Sequence, residues 1–323
     1  MSRRYRPPFE LTVAALASSL EITRLVGRYE GLLSPRVQPK LRRRNRIRTV
    51  LGSVAIEGNA LTEDQVTALL EQKRVAGPRR DILEVQNAID VYDRASSFDP
   101  AREKDLLTAH RVLMRGLVGD AGRYRSKGVG VLMGTRVAHV APPAREVPRL
   151  VGQLLEFLRT ATDHPLVKSA VAHYELEFIH PFSDGNGRIG RLWQHVVLVR
   201  WHEIFEQLPI ESVVRARQAE YYDVLGACDQ AGSSSLFIEF SLSTILTALE
   251  ELLRDLRPEP ATPSSRLETA RASLGRREFS RKDYLAIFKT LSTATASRDL
   301  KHGVDEGVLS SRGERALARY RFR

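Results

Sequence analysis

Apolar residues recur every three or four positions along most of the chain, which is the spacing of one face of an α-helix. These helical segments cover residues 11–34, 40–57, 63–74, 81–97, 103–117, 145–160, 165–179, 187–203, 213–229 and 235–256. They are interrupted at 122–142 by glycines, β-branched residues and a closing Pro-Pro, which together favour an irregular β-hairpin. The pattern therefore predicts a mainly α fold, a helical bundle with a β-hairpin flap.

A proline- and serine-rich stretch, RPEPATPSS at 257–265, predicts a linker. The pattern beyond it predicts three short helices and a hairpin, at 267–274, 281–289, 293–306 and 308–322. Three helices followed by a hairpin are typical of a winged helix-turn-helix. We therefore predict an N-terminal helical module, a central helical core and a winged helix, at 1–100, 101–256 and 266–323.

The sequence carries a formal net charge of +11, which favours acidic partners such as nucleotides or nucleic acid. From residue 257 onward, 15 Lys and Arg stand against 8 Asp and Glu, so most of this excess lies in the predicted winged helix. The single cysteine, Cys228, excludes an internal disulfide and is expected to be a small core residue. The apolar runs are far shorter than a membrane span, so we expect no membrane partner and a cytoplasmic protein.

One segment, HPFSDGNGRIGR at 180–191, joins two apolar helices and carries candidate chemistry. The glycine-rich turn at 185–187 can aim several N–H groups at one point, and the following helix adds its positive end. Arg188 and Arg191 share one helix face and suit phosphate oxygens. Asp184 can hold Mg²⁺ bound to those phosphates, and His180 can accept a proton at neutral pH. This set of residues favours attack on a nucleotide phosphate.

The segment resembles the signature HPFx[DE]GNGRxxR of the Fic family at every defining position. The resemblance implies a Fic-type fold and transfer of AMP from ATP to a Ser, Thr or Tyr hydroxyl of a target protein. It implies that His180 deprotonates that hydroxyl and that Asp184 holds Mg²⁺. The implied phosphate ligands are Gly185, Asn186, Gly187 and Arg188 for the α- and β-phosphates, and Arg191 for the γ-phosphate. The Doc-like branch transfers a phosphate and has a changed loop, whereas this loop keeps both glycines. UTP or GTP in place of ATP stays open.

Residues 53–58, SVAIEG, resemble the Fic inhibitory motif [ST]xxxE[GN]. Ser53 and Glu57 are four residues apart on one face at the end of a predicted helix. The resemblance implies that Glu57 pairs with Arg191 and so occupies the clamp for the γ-phosphate. In some relatives the same glutamate positions a water that removes AMP, so this reverse reaction stays open.

The predicted hairpin at 128–140 fits the Fic flap, which docks a target segment as an added strand. The candidate docking residues are Gly130, Val131, Leu132 and Met133. Tyr221 and Tyr222 are candidates for contact with adenine, although core packing is the stronger expectation. His110, His173 and His195 lie in apolar helices and are expected to be structural, since they lack the spacing of metal ligands.

The predicted winged helix places Thr295, Ser297, Arg298 and Lys301 on its second helix and Arg312, Arg315 and Arg319 on its wing. DNA binding and protein docking are both open for it. Gly303 departs from the apolar residue usual at that position and is expected to weaken the helix by about 1 kcal/mol. A second basic cluster, KLRRRNRIR at 40–48, is expected to be a solvated face.

The sequence thus predicts an autoinhibited protein adenylyltransferase. Two alternatives remain: a DNA-binding regulator whose Fic core modifies itself or senses nucleotide, and an AMP-removing enzyme that uses Glu57. Self-modification and a homodimer also stay open.

Overall fold

Helices dominate the chain, which confirms the prediction of a mainly α fold. The computed structural model describes residues 5–30, 39–133, 136–256, 262–288, 291–313 and 318–323. The chain divides into a larger unit, Met1–Asp255, and a smaller unit, Leu256–Arg323. None of the helices in the described ranges combines the length and the apolar character needed to cross a membrane.

The described part of the larger unit contains eleven α-helices and one β-hairpin. The helices are α1 (Val13–Glu30), α2 (Pro39–Ile56), α3 (Glu63–Leu70), α4 (Arg79–Tyr92), α5 (Glu103–Leu113), α6 (Val147–Thr160), α7 (Pro165–Ile179), α8 (Asn186–Trp201), α9 (Ile210–Ala216), α10 (Gln218–Ala231) and α11 (Ser235–Asp255). The hairpin pairs β1 (Gly130–Met133) with β2 (Arg136–Val140) in antiparallel fashion.

Helices α7 and α8 pack on each other at the centre of this unit. Most of α7 and nearly all of α8 are buried, as expected for helices that are covered on every side. Helix α8 nevertheless carries buried polar side chains, among them Arg188 and Arg191. Buried charges need partners, so the surroundings of α8 have to supply negative charge.

Helix α2, which carries the residues of the predicted inhibitory motif, lies close to α9. A Cβ atom added at Gly52 would stand 2.7 Å from the backbone carbon of Glu211 and from the backbone nitrogen of Ser212. Only glycine fits such a contact between two backbones. The position of α2, and of the glutamate at its end, is therefore fixed by direct helix-to-helix contact.

The basic cluster at the start of α2 is paired with acids of neighbouring helices. The pairs are Arg43 with Glu71, Arg44 with Asp255, Arg46 with Asp93, and Arg48 with Glu251. The arginine side chains are about a third to a half exposed, so each pair stabilises the fold only slightly. The cluster is thus partly neutralised and does not present a bare basic surface to nucleic acid.

Two predicted boundaries differ from the structure. The single helix predicted at 213–229 is wrong, because the chain turns at Arg217 and splits into α9 and α10. The Arg217 side chain bonds to Glu220 in α10 and to Ser243 in α11, which holds this turn in place. The predicted linker ends early, because α12 (Pro263–Leu274) begins inside it with Thr262 as its N-cap. Residues 257–261 lie outside the described ranges.

The smaller unit consists of α12, β3 (Phe279–Ser280), α13 (Arg281–Ile287), α14 (Thr293–Asp305), β4 (Leu309–Arg312) and β5 (Arg319–Phe322). Its three strands form an antiparallel sheet in the order β3-β5-β4. The helices and sheet enclose their own apolar core, which includes Leu267, Tyr284, Leu300 and Leu309. Inside it, the Asp299 carboxylate accepts hydrogen bonds from Arg266, at 2.5 and 2.6 Å, and from Tyr284.

Gly303 has a packing role that its sequence position did not reveal. A Cβ atom there would lie 2.8 Å from Leu309 Cδ1 and 2.9 Å from Leu267 Cδ1. Both leucines are buried in the core and have little room to move. The expectation that glycine merely weakens α14 is therefore corrected, because it allows α14 to approach both leucines closely.

Replacing Gly303 with alanine tests this packing. Helix propensity alone predicts a gain of about 1 kcal/mol. The crowded leucines predict a net loss of about 1–2 kcal/mol in the free energy of unfolding of the smaller unit. Urea unfolding measures the difference, and the exposed Ser273→Ala variant in α12 serves as control. A Gly303→Ala chain that is more stable than the parent contradicts the packing argument.

A buried carboxyl group lies at the contact between α2 and α9. Glu211 is 2% exposed and accepts a hydrogen bond of 2.8 Å from the Tyr92 hydroxyl, which also lies 3.3 Å from Ser53 Oγ. Burial raises the pKa of Glu211 to about 7. Between about pH 4.5 and 7, the folded protein therefore keeps this carboxyl group protonated, whereas the unfolded chain, with the ordinary pKa of 4.5, releases the proton. Stability from this group is complete below about pH 4.5 and is lost as the pH rises to about 7.

The Glu211→Gln variant should remove part of that pH dependence. The amide oxygen can still accept from Tyr92, but the residue no longer loses a proton. We expect the parent to lose about 2–3 kcal/mol relative to this variant between pH 4.5 and 7.5. Thermal unfolding at several pH values measures this, with exposed Glu63→Gln as control. Burial also raises the pKa of Glu175 to about 7, so part of the slope should remain. Parallel pH curves for parent and Glu211→Gln would refute the assignment.

Candidate active site

Side chains of the loop between α7 and α8 hold the loop in its conformation. His180 ends α7 in the left-handed conformation, with φ of 49°, and Gly185 precedes α8 with φ of 83°. The Asn186 amide accepts from the Phe182 N–H and donates to the Phe182 carbonyl, both at 2.9 Å. Phe182 is fully buried and stacks on His110 at 3.6 Å between ring centroids. The loop is therefore anchored in the core on both sides of its exposed turn.

His110 supports the loop from α5. Its Nδ1 accepts from the Gly122 N–H at 2.9 Å, so in the neutral ring Nε2 carries the proton and donates to the Asp184 carbonyl at 3.0 Å. Burial lowers the pKa of His110 to about 4, which keeps the ring neutral. His173 and His195 are also buried, and burial lowers their pKa values to about 3 and about 4. All three lie in the structural positions expected from the sequence.

Two glycines of the loop leave room that a side chain would fill. A Cβ atom at Gly185 would lie 2.6 Å from Met114 Sδ. At Gly187 it would lie 2.5 Å from Glu57 Oε1, 3.2 Å from Arg191 Nη1 and 3.3 Å from Glu177 Oε1. The space above Gly187 is thus lined by a guanidinium group and two carboxylates.

His180 is half-buried at the end of α7. Its Nδ1 lies 3.3 Å from the Glu177 carbonyl oxygen, which can only accept a hydrogen bond. In the neutral ring Nδ1 therefore carries the proton, and Nε2 is the atom able to take up another.

Arg188 is buried between two acids. Its Nη1 lies 3.4 Å from Glu84 Oε1 and its Nη2 lies 3.3 Å from Asp184 Oδ1, while its Nε has no partner in the described part of the chain. Glu84 also accepts from Asn59 at 3.0 Å and from Arg80 at 3.3 Å. Glu84 could not be predicted from the sequence, because it comes from α4, about a hundred residues before the loop.

Asp184 meets the requirement for a magnesium ligand in part. Its side chain is 40% exposed at the start of α8, and Oδ1 accepts from the Gly185 N–H at 2.6 Å. The described residues contain no group of three or more acids, histidines or cysteines able to hold a metal. A Mg²⁺ ion here would depend on Asp184 together with phosphate oxygens and water, which is how this ion is often held in nucleotide sites.

Arg191 is the most completely buried cation of the site. Its Nη2 donates to Glu57 Oε1 at 2.7 Å and to the Ser53 carbonyl at 3.1 Å. Burial alone would lower the pKa of Arg191, but the Glu57 carboxylate, with contributions from Tyr221 and Glu177, raises it above its usual value. The two residues of the inhibitory motif therefore both contact the last arginine of the loop motif.

The two tyrosines lie in different surroundings. Tyr221 is 1% exposed, packs near Phe237 and Phe240, and donates to Glu177 Oε1 at 3.0 Å. Its ring therefore belongs to the core, and it holds a carboxylate beside Arg191. Tyr222 is half-buried, and its hydroxyl lies 3.4 Å from the Ile56 carbonyl at the end of α2. Contact of either tyrosine with adenine stays a prediction.

The hairpin lies in the chain where the flap was predicted. Its register pairs Gly130 with Val140 and Met133 with Arg136, with an irregularity between Val131 and Leu132. The side chains of residues 130–139 and the tip at 134–135 lie outside the described part. Target docking by Gly130, Val131, Leu132 and Met133 therefore stays a prediction.

Comparison with known proteins matches this arrangement to one family. Residues 100–198 match the profile of the Fic/DOC family. The chain is 34% identical over 161 residues to Protein adenylyltransferase Fic from Nematostella vectensis, which covers 46% of the chain and 36% of that protein. It is 30% identical over 247 residues to Protein adenylyltransferase fic-1 from Caenorhabditis elegans, and this match covers 68% of the chain and 46% of that protein. The chain thus spans about a third to a half of the length of these relatives.

A solved structure matches nearly the whole chain. The crystal structure of a Fic family protein from Desulfovibrio desulfuricans G20 has a TM-score of 0.77 and 40% sequence identity, and the match covers 99% of this chain and 98% of that one. The Fic-1 structure from C. elegans, at 24% identity and a TM-score of 0.60, shares the fold over 75% of the chain. The full-length match and the loop geometry together lead to one conclusion: this chain belongs to the Fic family.

Proposed function

We propose that this chain is a protein adenylyltransferase that Glu57 holds in an inhibited state. It transfers AMP from ATP to a Ser, Thr or Tyr hydroxyl of a target protein and releases pyrophosphate. The observation that carries the proposal is a single loop and helix start that carry His180, the glycine turn and two buried arginines, with Glu57 paired to Arg191 at 2.7 Å. The names of the curated relatives support the activity.

The reaction begins with proton transfer to His180 Nε2 from the target hydroxyl. The oxygen attacks the α-phosphorus of ATP, a new phosphorus–oxygen bond forms, and the bond from the α-phosphorus to the β-phosphate oxygen breaks. Pyrophosphate leaves with the electron pair of that bond. The contact from Nδ1 to the Glu177 carbonyl fixes the ring so that Nε2 is the basic atom.

The loop supplies charge stabilisation for this step. The first backbone N–H groups of α8 have no acceptor within the helix, and the helix end adds partial positive charge at the glycine turn. Arg188 and Arg191 add two full charges on the same helix face. A Mg²⁺ ion held by Asp184 would offset part of the triphosphate charge when bound. The labelling experiment below also tests whether the enzyme uses UTP or GTP in place of ATP.

Glu57 inhibits by competing for Arg191. Its carboxylate occupies the guanidinium edge that the γ-phosphate needs, and it also reaches the space directly above Gly187. A triphosphate that binds around this carboxylate is shifted along the loop, so its α-phosphorus is out of line with His180. A misplacement of about 1 Å costs on the order of a hundredfold in rate.

The smaller unit supports a second proposal, that it is a winged helix that contacts DNA. Its element order and β3-β5-β4 sheet are those of a winged helix, and Arg298 and Lys301 are exposed on α14. Arg312 and Arg319 are exposed on the β4–β5 hairpin, whereas Arg315 lies outside the described residues. Ser297 is engaged with Arg281 at 2.9 Å, and Thr295 lies in the capped first turn, so the two cations are the stronger phosphate contacts.

Removing the Glu57 side chain should activate the enzyme. With ATP labelled at the α-phosphate, the Glu57→Gly chain should label protein in a lysate of the source organism at least about a hundredfold faster than the parent. Glu57→Gly combined with His180→Ala should label nothing. Exposed Glu63→Gly is the matched control and should behave as the parent. Parallel reactions with labelled UTP and GTP identify the nucleotide.

Equal labelling by parent and Glu57→Gly would rule out inhibition by this residue. Labelling that survives His180→Ala would rule out the proposed base. Loss of AMP from an already labelled protein that requires an intact Glu57 would favour the AMP-removing alternative.

Charge reversal on α14 tests the DNA proposal. The full chain carrying Arg298→Glu and Lys301→Glu should bind a duplex more weakly, with a salt slope reduced by about two. Fluorescence anisotropy at several salt concentrations measures this. Arg254→Glu in α11 is the control, since it changes the charge of an exposed residue in the larger unit. If the chain with Arg298→Glu and Lys301→Glu binds duplex DNA as tightly as this control, or if the parent does not bind DNA at all, the smaller unit is not a DNA contact.

A further inference from the structure

Arg125 is a buried arginine in the segment between α5 and the hairpin, and the loop motif does not include it. It is 4% exposed. Each hydrogen bond that its guanidinium donates in the described part of the chain goes to a backbone carbonyl oxygen, and none of the ion pairs there includes it. Burial of this kind lowers the pKa of Arg125 from its usual value. A buried cation without an acidic partner is costly, so a role in positioning has to be considered.

One set of these bonds reaches the end of α7. Arg125 Nε donates to the His180 carbonyl at 2.7 Å, and Nη2 lies 3.3 Å from the Ile179 carbonyl. The backbone N–H of Arg125 also donates to the Pro181 carbonyl at 3.0 Å. These are three consecutive carbonyls around a histidine held at a φ of 49°, which is unfavourable for a residue with a side chain. Arg125 thus holds the backbone that carries the proposed base.

The other set reaches both ends of the hairpin. Nη1 donates to the Lys127 carbonyl at 2.8 Å, just before β1. Nη2 donates to the Pro142 carbonyl at 2.5 Å, just after β2. The same guanidinium group therefore binds the entry and the exit of the hairpin and the residue that follows α7.

We propose that Arg125 is a positioning residue that fixes the hairpin relative to His180, so that a hydroxyl on a segment docked along the hairpin meets the imidazole. The inference rests on the proposed function and adds a residue to it. If the hairpin and His180 were aligned independently, each could shift by tenths of an ångström without the other. One rigid, planar group bonded to both removes that freedom.

Arginine suits this role better than lysine. Its guanidinium group presents donors on three nitrogen atoms in a fixed plane, which allows bonds to four carbonyls in different directions. A lysine keeps the charge but has a single nitrogen atom and at most three bonds. The Arg125→Lys variant therefore preserves charge and most of the volume while it loses the link.

The test uses the full chain in the Glu57→Gly background, with Mg·ATP as the nucleotide and the lysate proteins that this parent labels as acceptors. We expect Arg125→Lys to lower the initial rate of AMP incorporation at least about tenfold, as for a misaligned base. The Kd for Mg·ATP, measured by calorimetry, should change less than about twofold, because the phosphate contacts lie on α8. Exposed Arg123→Lys, two residues away, is the matched control and should leave both quantities unchanged.

A second measurement does not depend on activity. In the chain with Glu57 intact, amide hydrogen exchange over 128–140 should become faster in Arg125→Lys than in Arg123→Lys, while exchange in α8 stays the same. The inference is overturned if Arg125→Lys labels as fast as its parent, or if it loses Mg·ATP binding together with labelling. The second result would mean that Arg125 holds the whole unit together instead of aligning two of its parts. A Glu57→Gly parent that labels no protein counts against the proposed function itself, and the exchange measurement still tests the link.

Discussion

Two arginines buried on α8 are the constraint around which the site is organised. A buried guanidinium is tolerated only where negative charge and hydrogen-bond acceptors surround it. Arg188 forms ion pairs with Glu84 and Asp184, and Arg191 donates hydrogen bonds to Glu57 and to the Ser53 carbonyl. The acids of this site therefore stabilise the fold by pairing with these buried cations. In the proposed function, the same pairing links catalysis to inhibition, because the phosphates of ATP and the carboxylates of the protein compete for the same guanidinium groups.

The sequence predicted the parts of this site that lie close together in the chain. His180 to Arg191 form one loop and one helix turn, so their spacing alone indicated a phosphate cradle. It could not indicate Glu84 or Arg125, because these reach the loop from distant parts of the chain and have no distinctive neighbours. Glu177 lies only three residues before His180, but no pattern in α7 marked it. Glu57 was found only through resemblance to a short family motif. A contact between residues 134 positions apart leaves no periodic signal in either segment.

In the fold as well, features set by neighbouring residues were predictable, whereas features set by contacts between distant residues were not. Most helices followed from the apolar spacing, whereas the break at Arg217 did not, since bonds to Glu220 and Ser243 decide it. The sequence did not explain why glycine occurs at positions 52 and 303, because the atoms that exclude a side chain there belong to other elements. The basic cluster of α2 was expected to be a solvated face, but the sequence did not reveal its four acidic partners, which lie at the ends of α3 and α4 and in α11.

The contact between Glu57 and Arg191 is anchored through α2, while the Glu57 side chain itself is partly exposed. Helix α2 is fixed by its contact with α9 at Gly52, by its arginine pairs, and by Gln218, which donates to the Ile56 carbonyl at 3.0 Å. Glu57 itself lies just beyond the last residue of α2, and its side chain is 28% exposed. Rotation of that side chain breaks one charged hydrogen bond and leaves the helix in place. Such a bond contributes about 1.5–3 kcal/mol, and a hundredfold change in rate corresponds to about 2.7 kcal/mol. The loss of one such bond is therefore comparable in energy to the effect of Glu57 that the proposed function expects.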